Sequence, residues 1–302
     1  MKYKSLIITL LLLPYCALAQ MAQNQTLIHN LTALIKQKDN YTQQKERKIK
    51  ETIDLLRVPN ASAEQRYAIN QRLFDEFKTY ISDSAVYYVK ENIRIAEELQ
   101  KTDLQNDSRL SLASLYIISG NYLDAADLLR AIDKEQLQEP QLIQYYNCYL
   151  NLYNNYAFNN PDAKTYIAKS DAYRDLLLNL VDKNSTHYIL LYAGVLTDAG
   201  HYDEAEKLLL DRFALMHTDE HEKAVLGYVL GTLYKKKKNV PKQIEYFAIS
   251  ASCDIKDAIK ENASMLELAS ALFQLGEVEN AYTCIKSAME DATFCNAQLR
   301  SD

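Results

Sequence analysis

Four stretches of the chain repeat one order of apolar, small and polar positions. Leu112-Ala113-Ser114-Leu115-Tyr116 leads to Ser119-Gly120-Asn121-Tyr122-Leu123-Asp124-Ala125-Ala126. Tyr192-Ala193 leads to Ala199-Gly200-His201-Tyr202-Asp203-Glu204-Ala205. Leu230-Gly231-Thr232-Leu233-Tyr234 leads to Lys238-Asn239-Val240-Pro241-Lys242-Gln243-Ile244, and Leu268-Ala269 leads to Leu275-Gly276-Glu277-Val278-Glu279-Asn280-Ala281. Apolar residues recurring every three or four positions predict helices. In each copy a glycine supplies the left-handed residue that stops the first helix. A large apolar residue packs under the turn, and an alanine then lets the second helix approach closely. The third copy departs from this, with Lys238 in place of the glycine and Gln243 in place of the alanine. Pro241 suits the first turn of its second helix.

Two weaker copies complete the series. Arg66 to Tyr80 pairs with Asp83 to Leu99, and Glu139 to Phe158 with Asp162 to Leu180. The anchors fall at 85, 125, 163, 205, 243 and 281, in steps of 40, 38, 42, 38 and 38. Glycine at the turn and small residues at positions 8 and 20 resemble the tetratricopeptide repeat, whose nominal length is about 34 residues. The resemblance implies an all-α fold, a right-handed α-α superhelix of about six helix pairs over residues 61–302, each pair burying its face on its neighbours.

Residues 20–60 form a separate helical segment. Leu27, Leu31, Leu34, Tyr41, Ile49, Ile53 and Leu56 make a broken stripe that ends before Pro59. One or two helices here either cap the array or lie along its concave face. Lys36, Lys38, Lys45, Arg47, Lys48 and Lys50 are interrupted by Asp39, Glu46 and Glu51, which reads as a solvated face. Residues 1–19 read as an export leader: Lys2 and Lys4, the apolar run Ser5 to Leu13, and a small-x-small end at Ala17-Leu18-Ala19. Tyr15 before Cys16 disfavours a lipid attachment site. The chain is therefore expected to be exported, in the periplasm or facing it.

Composition agrees with helices. Gly and Pro number 6 and 5 in 302 residues, too few for the tight turns of a large β fold. With 48% apolar and 25% charged residues the chain is globular rather than disordered. It carries 34 basic and 40 acidic side chains, which disfavours direct nucleic-acid binding. No second run of about 18 apolar residues predicts a membrane span after the leader. Cys148, Cys253, Cys284 and Cys295 fit no zinc spacing. Buried free thiols are expected, with a Cys253–Cys284 bridge as the alternative.

No nucleophile–base–acid set and no phosphate loop is present, so neither an enzyme nor a cofactor is expected. His217 and His221 lie four apart, but Thr218 after His217 breaks the metalloprotease pattern, and no metal is assigned. The Lys235 to Lys238 run reads as a solvated turn. Asp83-Ser84-Ala85 resembles a short O-glycosylation sequon, and Asp83 as a helix cap explains it equally well. The expected partner is a protein or peptide in the concave groove. Its lining positions include Phe74, Phe77, Leu110, Ser114, Ile117, Leu190, Gly194, Tyr228, Thr232, Leu266, Ser270 and Phe273. The paired Lys, Asn and Arg that clamp a C-terminal carboxylate in cochaperone relatives are missing. A shallow apolar channel suits a helix or an extended peptide, and the protein's own terminal helix is the alternative occupant. On the tyrosine-rich helix, anchoring the register at Asp162 buries Tyr146, Tyr149, Leu150 and Tyr153 and leaves Tyr145 and Tyr156 exposed. Self-association through the open C-terminal end is a further expectation.

Tyr41-x-x-Gln44-Lys45-Glu46-x-x-Ile49-x-x-x-Ile53, Gln65-Arg66-Tyr67 and Asp83-Ser84-Ala85-x-x-Tyr88-x-x-x-Asn92-x-x-Ile95-Ala96 carry a second resemblance. They are similar to a large bacterial family of exported tetratricopeptide proteins regarded as regulators. That resemblance implies a repeat domain followed by a transmembrane helix, a coiled coil and a cytoplasmic region regulating transcription. None of those parts lies within residues 1–302. The expectation is the sensor portion of a membrane-anchored regulator, either as a fragment or as a truncated relative that keeps only that part; a free-standing periplasmic assembly factor is the alternative.

Overall fold

A computed structural model describes residues 20, 22–158, 160, 162–216, 221–260 and 263–294. Fourteen α-helices and no strand occur among them. Two helices lead: α1 (22–36) and α2 (Lys38–Leu55). Six pairs follow: α3 (Ala63–Phe77) with α4 (Ser82–Glu98), α5 (Thr102–Ile118) with α6 (Tyr122–Arg130), and α7 (Glu139–Phe158) with α8 (Ala163–Leu180). Then come α9 (Thr186–Asp198) with α10 (Tyr202–Phe213), α11 (His221–Lys236) with α12 (Val240–Lys256), and α13 (Ala263–Gln274) with α14 (Val278–Phe294). The expected leader, Cys16, Cys295, His217 and Thr218 lie outside the described residues. No described helix is long and apolar enough to cross a membrane.

The turn chemistry is the expected one. Gly120, Gly200 and Gly276 have φ of 80°, 82° and 80°. Lys238 adopts φ 57° at the equivalent place. The same bond five residues back closes these turns: Asn121 N–H donates to Tyr116 O at 2.8 Å and Asn239 N–H to Tyr234 O at 2.9 Å. A left-handed lysine costs roughly 1 kcal/mol that a glycine avoids. Lys238→Gly should therefore raise the urea midpoint; an unchanged or lower midpoint would count against that cost.

The packing follows from the anchors. Ala85, Ala125 and Ala205 are fully buried, and Ala281 and Gln243 nearly so. Ala125→Leu or Ala205→Leu should overpack the helix contact by about 1–3 kcal/mol. Melting curves unchanged in both variants would contradict this register. Ala163 is only half-buried. The buried positions 108, 111, 112, 113 and 115 of α5 recur in α7 at 145, 148, 149, 150 and 152, a step of 37. The register therefore anchors at Asp162, one residue before the alanine.

The chain forms two compact units, Met1–Thr42 with Leu196–Asp291, and Gln43–Val195 with Ala292–Asp302. In the first, Ile28 and Leu31 of α1 share a core with Ile244, Phe247, Leu268, Leu272 and Ala281. Asn24 Nδ2 donates to Pro241 O at 2.8 Å, and Lys38 Nζ to Glu290 at 2.7 Å. α1 thus packs among α12, α13 and α14. In the second unit, Ile49 and Ile53 of α2, with Leu56 just after it, join Leu73, Phe74, Phe77 and Tyr80 in one core. Lys45 and Lys48 both pair with Glu76, so much of the basic run is engaged internally.

Candidate functional site

The twelve predicted groove residues separate by burial. In the Gln43–Val195 unit, Phe74, Phe77, Leu110 and Ile117 are all buried, at 7% exposure or less. They are core, which corrects their assignment as partner contacts. Phe74 and Phe77 are taken up by α2. Leu110 and Ile117 pack in one cluster with Tyr145, Cys148, Tyr149 and Leu152 of α7. Ser114, Leu190 and Gly194 are half-buried, and the Arg174 guanidinium lies 3.8 Å from where a Gly194 Cβ would sit.

Tyr145 is also buried, at 8%, and Tyr156 is half-buried; neither is the exposed aromatic expected. α7 is flanked by α5 and α6 on one side and by α8 on the other, so stripes on both sides of it are covered. Its tyrosines stack with those of α8: Tyr149 lies 4.8 Å from Tyr173 at 8°, and Tyr153 lies 5.9 Å from Tyr173. Burial pushes the Tyr173 phenol up to about 12. This is a packing device with little free ring face.

The other unit holds the accessible site. Tyr228, Thr232 and Leu266 are half-buried, whereas Ser270 and Phe273 are exposed. Thr232 Oγ1 donates to Tyr228 O of its own helix at 3.0 Å. Leu266, Ser270 and Phe273 of α13 join Val278, Tyr282 and Ile285 of α14 around an apolar trough of about 410 Å³. Phe273, Val278 and Tyr282 are 66%, 57% and 65% exposed. Patches of large apolar side chains on a soluble surface mark interaction sites.

The repeat explains what this trough is. A step of 156 residues carries Leu110, Ile117, Ala126 and Leu129 onto Leu266, Phe273, Tyr282 and Ile285. In the earlier pair those positions are covered by α7. Among the described residues no helix occupies the equivalent seat of the last pair. Sequence reasoning found Leu266, Ser270 and Phe273 through the groove register. It missed Val278, Tyr282 and Ile285, because only first helices were read as lining. The exposed 278–282–285–289 spacing on α14 was the available signal.

Other site chemistry is sparse. Among the described residues no group of three or more His, Cys, Asp and Glu gathers to hold a metal. Cys148, Cys253 and Cys284 are buried free thiols. Burial pushes the Cys148 and Cys284 thiols up to about 12. Burial also holds the His187 imidazole below its usual value, with Nε2 3.1 Å from Asn147 Oδ1.

Residues 35–302 match the model of the SusR N-terminal TPR domain. The chain belongs to this family. It is a tetratricopeptide-type helical repeat, a fold that generally serves as a protein-interaction scaffold. No curated protein matches the chain. Among solved structures, the crystal structure of BtubC (BKLC) from P. vanneervenii is similar at 16% identity, over 78% of this chain and 93% of that one, with a TM-score of 0.42.

Proposed function

We propose that this chain is an exported interaction domain, working in the periplasm as the sensor or scaffold portion of a membrane-anchored regulator. Its partner is a protein or peptide seated in the α13–α14 trough. The trough carries the reading: Leu266, Phe273, Val278, Tyr282 and Ile285 present apolar surface at positions that, in the α5–α6 pair, receive a helix. The export leader at residues 1–19 and the family match support the location and the regulatory setting. A helix laid in a groove binds through anchors spaced three and four residues apart.

Two measurements test this. Alkaline phosphatase fused after Asp302 should be active in cells, because it folds to the active enzyme outside the cytoplasm; an inactive but stable fusion would contradict export. Phe273→Asp with Tyr282→Asp should shift stability by about 0.5 kcal/mol or less, since both side chains are exposed. The same variant should abolish the crosslinked complex formed in cells through a photoreactive residue at 270. A complex that survives would place the partner elsewhere.

A further inference from the structure

α14 has two apolar faces of opposite character. Ala281, Cys284 and Ala288, all small, are buried against the body. Val278, Tyr282, Ile285 and Met289, all large, face outward at 57%, 65%, 36% and 58% exposure. A helix stabilised only by its own repeat would bury the large set. Spacings of four, three and four are those of a helix–helix seam, in which alternating layers meet a second helix.

The charges beside the seam say which helix fits. Glu279 and Lys286 are exposed, seven residues apart, on the same flank of the stripe. Paired antiparallel with an identical helix, Val278 meets Met289 and Tyr282 meets Ile285, each layer twice. The same register sets Glu279 of one chain opposite Lys286 of the other, again twice. A two-fold interface must be self-complementary in this way. A parallel pairing would instead set each flank against the opposite flank of its partner, so that Lys286 meets Ala281 and the Glu279–Lys286 match is lost.

We infer that a second copy of this chain occupies the trough, two α14 helices pairing antiparallel along Val278, Tyr282, Ile285 and Met289. The inference rests on reading the trough as an interaction surface and names its partner. Phe273 of each chain closes one rim, and Glu279–Lys286 pairs fix the direction.

The test is sedimentation of the purified protein at micromolar concentration. The wild type should run as two chains rather than one. Glu279→Lys alone and Lys286→Glu alone should each weaken association at least about tenfold, because like charges then face across the seam. The double variant should recover the dimer. A mixture of the two single variants should also recover it, since each then supplies the charge the other lacks. A monomeric wild type would overturn the pairing, as would a dimer indifferent to both reversals. Neither result touches the trough as a partner surface, which the Phe273 and Tyr282 variant decides separately.

Discussion

Asp291→Ala should cost about 3–5 kcal/mol in urea unfolding, among the largest effects of any polar substitution here. Lys260 is 6% exposed and Asp291 7%, and Lys260 Nζ lies 2.9 Å from Asp291 Oδ1. Lys38 Nζ stands 3.5 Å from the same oxygen. Lys260 also reaches Thr42 Oγ1 at 3.2 Å. The carboxylate is therefore shared by two ammonium groups with little access to water. Its removal takes away the carboxylate that two neighbouring cations share and leaves them close together. Replacing both partners, Lys260→Met with Asp291→Leu, should cost far less, since a buried pair exchanged for apolar groups of similar size is often neutral. Equal losses in the single and double variants would mean the site depends on packing rather than charge.

Phe247→Ala should cost about 3–5 kcal/mol, because a fully buried ring is lost and its cavity can only partly collapse. The reason lies in Gly231. A Cβ built there would sit 2.6 Å from Phe247 Cδ1 and Cε1 and 2.9 Å from Cγ. The ring rests directly on the glycine, so α11 and α12 are locked face to ring. Gly231→Ala should cost about 1–3 kcal/mol by overpacking. Placed together, Gly231→Ala and Phe247→Ala should cost less than the sum of the two, since the added methyl then fills space the ring has left. Strict additivity would mean the two residues do not share that space.

What the sequence made legible follows from local rules. Gly120, Gly200 and Gly276 stop helices because the turn needs a positive φ, and the same arithmetic located Lys238 as the residue forced into that conformation. Ala125 and Ala205 were recognisable because close helix approach excludes a larger side chain. The burial of Phe74 and Phe77 was not legible. Position in a repeat says which way a side chain points, whereas what covers it depends on α2, an element outside the repeat. Tyr145 was misjudged for a related reason: a helix packed on two sides buries more than one stripe, which a single periodicity cannot show. The trough was half legible, because the groove register named α13 but not the second helix beside it.

The most direct test of the central claim compares two tyrosines within one molecule. Tyr87 and Tyr282 are 59% and 65% exposed, so oxidative footprinting of the bare chain should label them about equally. In intact cells the account predicts that Tyr282 is protected while Tyr87 remains labelled. Equal labelling of both in cells would mean that nothing covers the α13–α14 trough, and the reading of this chain as an interaction domain working through that surface would be contradicted.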